Sequence, residues 1–187
     1  MWPELRTGRL LLRLPREEDG PVIERCVSDF DVARMTMSIP HPYPAGGGLE
    51  WVRRQRALAA EGKADHCVVT LLSSGELVGA IGLRVEEMHH SASLGYWIGK
   101  PFWGRGYCTE AALALRDYAF GELQLNRLHA CHWAHNPASG RVMQKLGMRC
   151  EGVQRQKYFR FGAYIDAVYY ALLASEYAVL GVQSGGA

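Results

Sequence analysis

Three adjacent residues in the middle of the chain, Gly104-Arg105-Gly106, have the types and spacing of a phosphate-binding turn. They lie between a segment that reads as a strand ending near Ile98 and one that reads as a helix beginning near Thr109. In such a strand–turn–helix unit, backbone N–H groups and a helix N-terminus converge on one point and attract phosphate. Glycine suits the turn because a Cβ would block close approach and strained backbone angles. A purely structural turn with a helix cap explains the same residues.

Two well-known nucleotide-binding motifs do not fit this turn. It lacks the Lys-Ser/Thr ending of a P-loop. It also lacks the third glycine and the later ribose-binding acid of the dinucleotide fingerprint. Phosphate binding at this turn would therefore belong to another class of protein.

A second segment, residues 136–148, carries several helix-boundary signals. Asn136 is expected to cap the N-terminus of a helix, Pro137 to occupy its first position, and Gly147 to end it in a left-handed conformation. None of these roles explains Ser139.

The histidines His129, His132 and His135 are grouped in the way that metal ligands often are. They fall on an expected strand, where side chains alternate with a period of two, so residues three apart lie on opposite faces. The spacing therefore argues against a zinc site, and we expect no metal.

A mixed α/β fold must position these residues. The expected strands cover residues 9–14, 67–72, 77–86, 93–98 and 128–133, with a final hairpin over 152–174. The expected helices open at Glu17 and cover residues 49–60, 109–123 and 137–146, with a loop over 39–48 and a short C-terminal helix. This order predicts a mainly antiparallel central sheet flanked by helices, in a single domain over residues 1–187.

The composition narrows the class of protein. With 187 residues, 48% of them hydrophobic, the chain is long enough for one compact core. Its 21 basic and 19 acidic residues nearly balance, which argues against a nucleic-acid-binding protein. Five cysteines without a CxxC pair favour reduced thiols. With no signal peptide and no stretch of roughly 20 apolar residues, we expect a cytoplasmic protein that does not span a membrane. A homodimer is left open.

Two strings in the chain resemble the signatures of one enzyme family. Residues 94–111, LGYWIGKPFWGRGYCTEA, resemble motif A of the Gcn5-related N-acetyltransferases (GNAT), and most closely the RimJ/RimL branch, which modifies N-terminal amines of ribosomal proteins. Residues 136–148, NPASGRVMQKLGM, resemble the second signature of the same family. The resemblance covers nearly the whole chain and implies the GNAT fold, with strands splayed apart at the cofactor site.

The resemblance implies how acetyl-CoA, the cosubstrate, would be bound. Backbone N–H groups of the turn would bind its pyrophosphate, and a backbone N–H from residues 96–98 would contact the acetyl carbonyl. The Asn and Ser side chains of the second signature would contact the pantetheine arm or the sulfur. The implied cofactor-binding residues are Trp97, Ile98, Trp103, Gly104, Arg105, Gly106, Tyr107, Cys108, Thr109, Asn136 and Ser139. Two of them depart from the usual family residues, Trp103 from Gln or Arg and Cys108 from Gly or Ala.

The implied reaction is direct attack of a neutral amine on the acetyl carbonyl of acetyl-CoA. A hydroxyl near the sulfur suffices to protonate the leaving thiolate, because a thiol has a pKa of about 8.5. Ser139 is the first catalytic candidate through the motif match, and Tyr158 and Tyr164 in the last hairpin are the alternatives. The candidate bases or water-positioning residues, each more simply explained as a surface charge, are Glu86, Glu87, His89, His90 and Glu151.

The acceptor amine follows from the lack of an evident strong base. An α-amino group has a pKa of about 7.7–8.0, against about 10.4 for Lys, so it is far easier to deprotonate near neutral pH. This favours the N-terminal α-amine of a protein, such as a ribosomal protein. The alternatives are a small amine (a polyamine, an aminoglycoside or an amino-acid-like toxin) and, from a different class, a CoA-binding sensor without turnover.

Overall fold

The computed structural model describes residues 4–184, which contain eight strands and six α-helices. The chain divides into two compact units, Met1–Leu83 with Gly95–Ala114, and Arg84–Leu94 with Leu115–Ala187. Strands β4 and β5 contribute residues to both units. The expectation of a single domain over residues 1–187 stays a prediction.

The elements follow the order that the sequence indicates. The strands are β1 (Leu5–Arg6), β2 (Leu10–Arg13), β3 (His66–Leu71), β4 (Leu77–Glu86), β5 (Ser91–Ile98), β6 (Arg127–Trp133), β7 (Arg149–Arg160) and β8 (Ala163–Leu173). The helices are α1 (Gly20–Val27), α2 (Phe30–Ala33), α3 (Gly47–Ala60), α4 (Tyr107–Gly121), α5 (Pro137–Lys145) and α6 (Ala174–Ser184).

The eight strands form a sheet that is antiparallel apart from the β5–β6 pair. Strand order is β1-β2-β3-β4-β5 through the first unit and β4-β5-β6-β8-β7 through the second. β5 and β6 pair in parallel at residues 91–93, whereas β8 runs antiparallel to both β6 and β7. The predicted mixed α/β fold with a mainly antiparallel sheet is therefore confirmed.

The core of the first unit lies between its sheet and helices α1 and α3. Ile23 and Val27 from α1 and Val52 from α3 are buried with Val68 and Leu77 of the sheet. Fully burying one such side chain stabilises the fold by about 1.5–3 kcal/mol. Trp51 of α3 and Trp97 of β5 pack against the same cluster. Strand β5 is thus fixed to this core immediately before the glycine turn.

A buried ion pair joins the end of β2 to the entry of α1. The Arg13 guanidinium donates to both carboxylate oxygens of Asp19, at 2.7 and 2.9 Å. The backbone N–H of Arg16 donates to the same carboxylate at 2.7 Å. Asp19 ends a short 3₁₀ turn, Glu17–Asp19, so the α-helix that was expected to open at Glu17 begins only at Gly20.

The second unit has a core of its own. Trp133, Ile165 and Ala167 are buried together, and Tyr158 and Tyr169 pack against them. The largest fully buried side chains elsewhere in this unit are Leu115, Leu128, Met143, Leu146 and Leu172. Helix α5 lies beside β6, so the second signature segment is held on the sheet.

The structure also differs from the sequence-based expectations at β1, β7 and α4. β1 was not expected, and α4 begins at Tyr107 rather than near Thr109. β7 begins at Arg149 rather than Gly152, because Gly152 has a φ of +140° and lies at a bulge inside the strand. A glycine at a bulge is easily mistaken for a strand end in the sequence. None of the helices within residues 4–184 has the length and apolar character needed to cross a membrane.

Candidate active site

The turn between β5 and α4 has the backbone conformation that its sequence predicts. Gly104 and Gly106 have φ values of +75° and +80°, in the left-handed region that favours glycine. A Cβ on Gly104 would meet no atom within 4 Å, so the space beside this residue is open. Glycine is required here by the backbone angle, and the turn presents bare backbone to its surroundings.

Helix α4 starts directly after the second glycine. The backbone N–H of Glu110 donates to the carbonyl of Gly106 at 3.1 Å, closing the first turn. The N–H groups that precede this bond, at residues 107–109, have no carbonyl within the helix to bind. Together with the helix dipole, they make the end of α4 favourable for an anion.

Arg9, directly before β2, holds this turn in place. Its backbone N–H donates to Glu110 Oε1 at 2.8 Å and its Nε to Oε2 at 2.6 Å. Its Nη1 donates to the carbonyl of Arg105 at 3.1 Å, and its guanidinium lies 4.7 Å from the centre of the Tyr107 ring. Thr7 Oγ1 donates to Glu110 Oε1 at 2.6 Å. A segment about 100 residues away in sequence therefore braces both the turn and the first turn of α4.

Of the two residues that depart from the family pattern, Trp103 is held by a hydrogen bond and Cys108 is half-buried. Trp103 Nε1 donates to the carbonyl of Ile98 at 2.6 Å, which ties the indole back to the end of β5. Cys108 is half-buried, and burial raises the pKa of its thiol to about 12. A thiol with such a pKa is not a nucleophile near neutral pH. The Arg105 side chain is exposed, with its guanidinium 5.9 Å from the centre of the Phe102 ring.

At the end of β5, the side chains of Trp97 and Ile98 are packed, which leaves their backbone groups for contact with a ligand. The Trp97 side chain packs on the first unit's core, and Ile98 is buried. A Cβ on Gly79 of β4 would overlap the Trp97 carbonyl, so β4 approaches β5 closely at that point. Because both side chains are engaged in packing, the predicted cofactor roles of Trp97 and Ile98 are backbone roles.

The second signature forms the helix end that was predicted. Asn136 Oδ1 accepts a hydrogen bond from the backbone N–H of Ser139 at 3.3 Å, and Pro137 opens α5. Gly147, after the helix, has a φ of +84°. The cap prediction for Asn136 is confirmed, and the Ser139 side chain is half-buried in the first turn. The cofactor contacts expected of Asn136 and Ser139 stay predictions.

The two tyrosine candidates, Tyr158 and Tyr164, differ in burial. Tyr158 is half-buried, with its hydroxyl 3.1 Å from that of Tyr169 and its ring edge-on to Trp133 at 5.0 Å. Burial, and then the Tyr158 hydroxyl, raise the pKa of Tyr169. Tyr164 is 67% exposed. Tyr158 is therefore part of a packed aromatic cluster, and its catalytic role stays a prediction.

The bases proposed from the sequence lie at the surface. Glu87, His89 and His90 are exposed, and Glu86 accepts a hydrogen bond from Ser91 Oγ at 3.2 Å. Arg127 binds the Glu151 carboxylate, at 2.7 Å through Nη1, and its hydrogen bonds lower the pKa of Glu151. A carboxylate with a lowered pKa is a weaker base.

The clustered histidines are not arranged around a common point. His132 Nδ1 lies 2.8 Å from the Trp133 carbonyl, and its ring packs near Tyr170 and Gly140. His129 is half-buried, and burial lowers its pKa. Within the part of the chain that the structure describes, no three His, Cys, Asp or Glu side chains lie close enough to hold a metal ion.

Sequence reasoning missed one titratable pair, Asp65 and His66. The His66 Nδ1 lies 2.7 Å from Asp65 Oδ1, and both side chains are partly buried at the start of β3. The available signal was an acidic residue beside a histidine directly before an expected strand, residues 67–72. That signal is weak, because the sequence alone does not show what the imidazole faces.

Comparisons with known proteins agree with this arrangement. Residues 9–149 match the model of the acetyltransferase (GNAT) domain family. The chain is 30% identical over 175 residues to the uncharacterized N-acetyltransferase p20 of Bacillus licheniformis, covering 93% of this chain and 98% of that protein. It is 30% identical over 102 residues to the ribosomal-protein-serine acetyltransferase of Escherichia coli, covering 54% and 57% of the two chains.

Comparison with solved structures also indicates an acetyltransferase fold. The crystal structure of a GNAT-family acetyltransferase from Bacillus anthracis superposes with a TM-score of 0.82 at 28% identity, covering 92% of this chain and 99% of that one. This chain therefore belongs to the GNAT acetyltransferase family. The predictions of the family and of an N-acetyltransferase are confirmed.

Proposed function

We propose that this protein transfers the acetyl group of acetyl-CoA to the N-terminal α-amine of a protein, with a ribosomal protein as the first choice. The observation that carries the proposal is the glycine turn, in which Gly104 and Gly106 adopt positive φ and Arg9 and Glu110 fix the start of α4. A relative that acts on a ribosomal protein supports the acceptor and the RimJ/RimL branch. Five cysteines without a CxxC pair support a cytoplasmic location.

The turn is suited to the pyrophosphate of acetyl-CoA. Backbone N–H groups of residues 103–109 would donate to phosphate oxygens, and the open space beside Gly104 leaves room for them. The Arg9 guanidinium compensates the Glu110 carboxylate, which would otherwise repel the phosphates. We assign the Asn136 amide to the pantetheine arm and the Ser139 hydroxyl to the sulfur end. No step requires a metal.

In the proposed acetyl transfer, the backbone stabilises the oxyanion and a side-chain hydroxyl protonates the leaving thiolate. The amine nitrogen attacks the thioester carbon, a C–N bond forms and the C–S bond breaks, with its electron pair left on sulfur. A backbone N–H of residues 96–98 would stabilise the developing oxyanion. After the attack the nitrogen loses one proton to solvent. The Ser139 hydroxyl would pass a proton to the thiolate and regain one from solvent, with Tyr158 as the second candidate for this role.

The α-amine preference follows from the environment of the candidate bases. Glu87, His89 and His90 are exposed, and Glu151 is neutralised by Arg127. The pKa of a Lys side chain is about 2.5 above that of an α-amine, so deprotonating a Lys acceptor costs about 3.5 kcal/mol more. An N-terminus is therefore the easier acceptor for this enzyme.

The test uses one peptide that carries both a free N-terminus and an internal Lys, incubated with acetyl-CoA. Mass spectrometry locates the acetyl group, which we expect on the α-amine. Acetylation mainly of the Lys would contradict the acceptor assignment. Spermidine and an aminoglycoside are assayed in parallel, and turnover on either of them alone would make the small-amine function the correct one.

A CoA-binding sensor is separated from the enzyme by Ser139→Ala. The enzyme should lose kcat while its affinity for CoA changes little, because the hydroxyl acts on the leaving sulfur. A sensor would show no turnover in the wild type with any amine and would be indifferent to the substitution.

A further inference from the structure

We propose that His66, oriented by Asp65, is the proton acceptor for the incoming amine. The inference rests on the proposed acetyl transfer and adds a catalytic residue to it. It depends on the contacts of the imidazole within the first unit, which distinguish His66 from the exposed histidines of the chain.

The Asp65 carboxylate selects the tautomer of the imidazole. Asp65 Oδ1 lies 2.7 Å from His66 Nδ1, with side-chain exposures of 23% and 31%. An ionised carboxylate only accepts hydrogen bonds, so Nδ1 carries the hydrogen in this pair. In the neutral imidazole, Nε2 then holds the lone pair that can take a proton.

Two glycines on neighbouring strands make room for the ring. His66 pairs with Gly82 of β4, and a Cβ on Gly82 would lie 2.7 Å from His66 Cγ and Cδ2. On β5, a Cβ on Gly95 would lie 3.9 Å from His66 Nε2. The imidazole therefore lies across β4 and presents Nε2 to the β5 backbone at Gly95. This residue directly precedes residues 96–98, whose backbone we assign to the acetyl carbonyl.

The imidazole is surrounded by a carboxylate, glycine backbone and an indole. The Asp65 carboxylate, from the residue directly before β3, is in contact with the imidazole. β4 and β5 present the glycine backbone, and α3 presents the Trp51 indole, edge-on at 6.3 Å between ring centres. By contrast, His89 is exposed to solvent.

The proton balance of the step is complete. His66 Nε2 takes one proton from the ammonium form of the acceptor and releases it to solvent, which leaves a neutral amine to attack the thioester carbon. The C–N bond forms and the C–S bond breaks. The second amine proton leaves after attack and, in net terms, protonates the CoA thiolate. Ammonium and acetyl-CoA thus give amide, CoA thiol and one released proton.

The experiment compares kcat/KM against pH for the wild type, His66→Gln, Asp65→Asn and the exposed comparison variant His89→Gln, with one peptide acceptor. Imidazole changes charge between pH 5 and 8, so the wild type should show an acid limb in this range. In His66→Gln that limb should move up to the α-amine pKa of about 7.7–8.0, and kcat/KM at pH 7 should fall about tenfold, because only about a tenth of the amine is neutral there without a base. The deficit should narrow above pH 8, where the α-amine is already neutral. Asp65→Asn should show a smaller loss of the same kind.

CoA affinity and the comparison variant separate a loss of catalysis from a loss of folding. CoA affinity, measured by calorimetry, should be unchanged in both variants of the pair, which also shows that they are folded. Wild-type rates with an unchanged pH profile in His66→Gln, or the shift of the acid limb in His89→Gln instead, would overturn the role of His66 and leave the acetyltransferase function intact. No transfer by the wild type to any amine would overturn the proposed function and this inference together.

Discussion

Asn136 is predicted to have two separable roles, as a helix cap and as a ligand of the cofactor. Its Oδ1 accepts from the Ser139 N–H at 3.3 Å, and the same N–H lies 3.2 Å from the Asn136 backbone carbonyl. Losing a cap costs about 0.5–2 kcal/mol. Because the carbonyl contact survives in Asn136→Ala, we expect the lower part of that range, about 0.5–1 kcal/mol.

Asn136→Asp separates the two roles. The carboxylate keeps the acceptor for the cap and suits the helix dipole, so the free energy of unfolding should not fall. It cannot donate as the amide NH₂ does, and a lost hydrogen bond is worth about 1 kcal/mol, or roughly fivefold in Kd. Urea unfolding measures the first quantity and calorimetry with CoA the second. If the Asp variant binds CoA as tightly as the wild type, Asn136 is only a cap.

Two more predictions concern charges that hold the fold. Asp19→Asn should cost about 3–5 kcal/mol in denaturant unfolding, because it leaves the buried Arg13 guanidinium without its counter-charge, whereas the exposed control Glu18→Gln should cost less than about 1 kcal/mol. Burial alone would raise the pKa of Glu110, but its hydrogen bonds outweigh this effect and lower the pKa. Its contribution to stability is therefore complete above the unfolded-state value of about 4.3 and is lost as pH falls through the folded-state value. Glu110→Gln should destabilise the protein at pH 7, and a stability difference that does not shrink below about pH 4 would contradict this reasoning.

Local sequence rules predicted much of the fold and part of the candidate site. The positive φ at Gly104, Gly106 and Gly147 and the cap at Asn136 depend on residues a few positions apart, and all four are confirmed. Strand and helix order followed from hydrophobic patterns in the same way. The predicted start of β7 was wrong because Gly152 lies at a bulge inside the strand, whereas a glycine in the sequence usually indicates a strand end.

Contacts between distant segments could not be predicted from the sequence. Arg9 reaches Glu110 across 101 positions, and no local pattern pairs them. His66 is presented to Gly95 only because β3, β4 and β5 are neighbours in the sheet. The candidate bases chosen from the sequence were charged residues near the motif, and the structure shows them exposed or paired.

The central claim, that residues 103–109 bind acetyl-CoA, is tested most directly by comparing two glycine substitutions. Gly104 and Gly75 have nearly equal φ values, +75° and +74°, and a Cβ on either meets no atom within 4 Å. Valine should therefore strain both backbones to a similar degree, by at least about 1–2 kcal/mol, but Gly75 lies in the turn between β3 and β4. In calorimetry with CoA, we predict at least a tenfold loss of affinity for Gly104→Val and wild-type affinity for Gly75→Val. Wild-type affinity in Gly104→Val would contradict the claim.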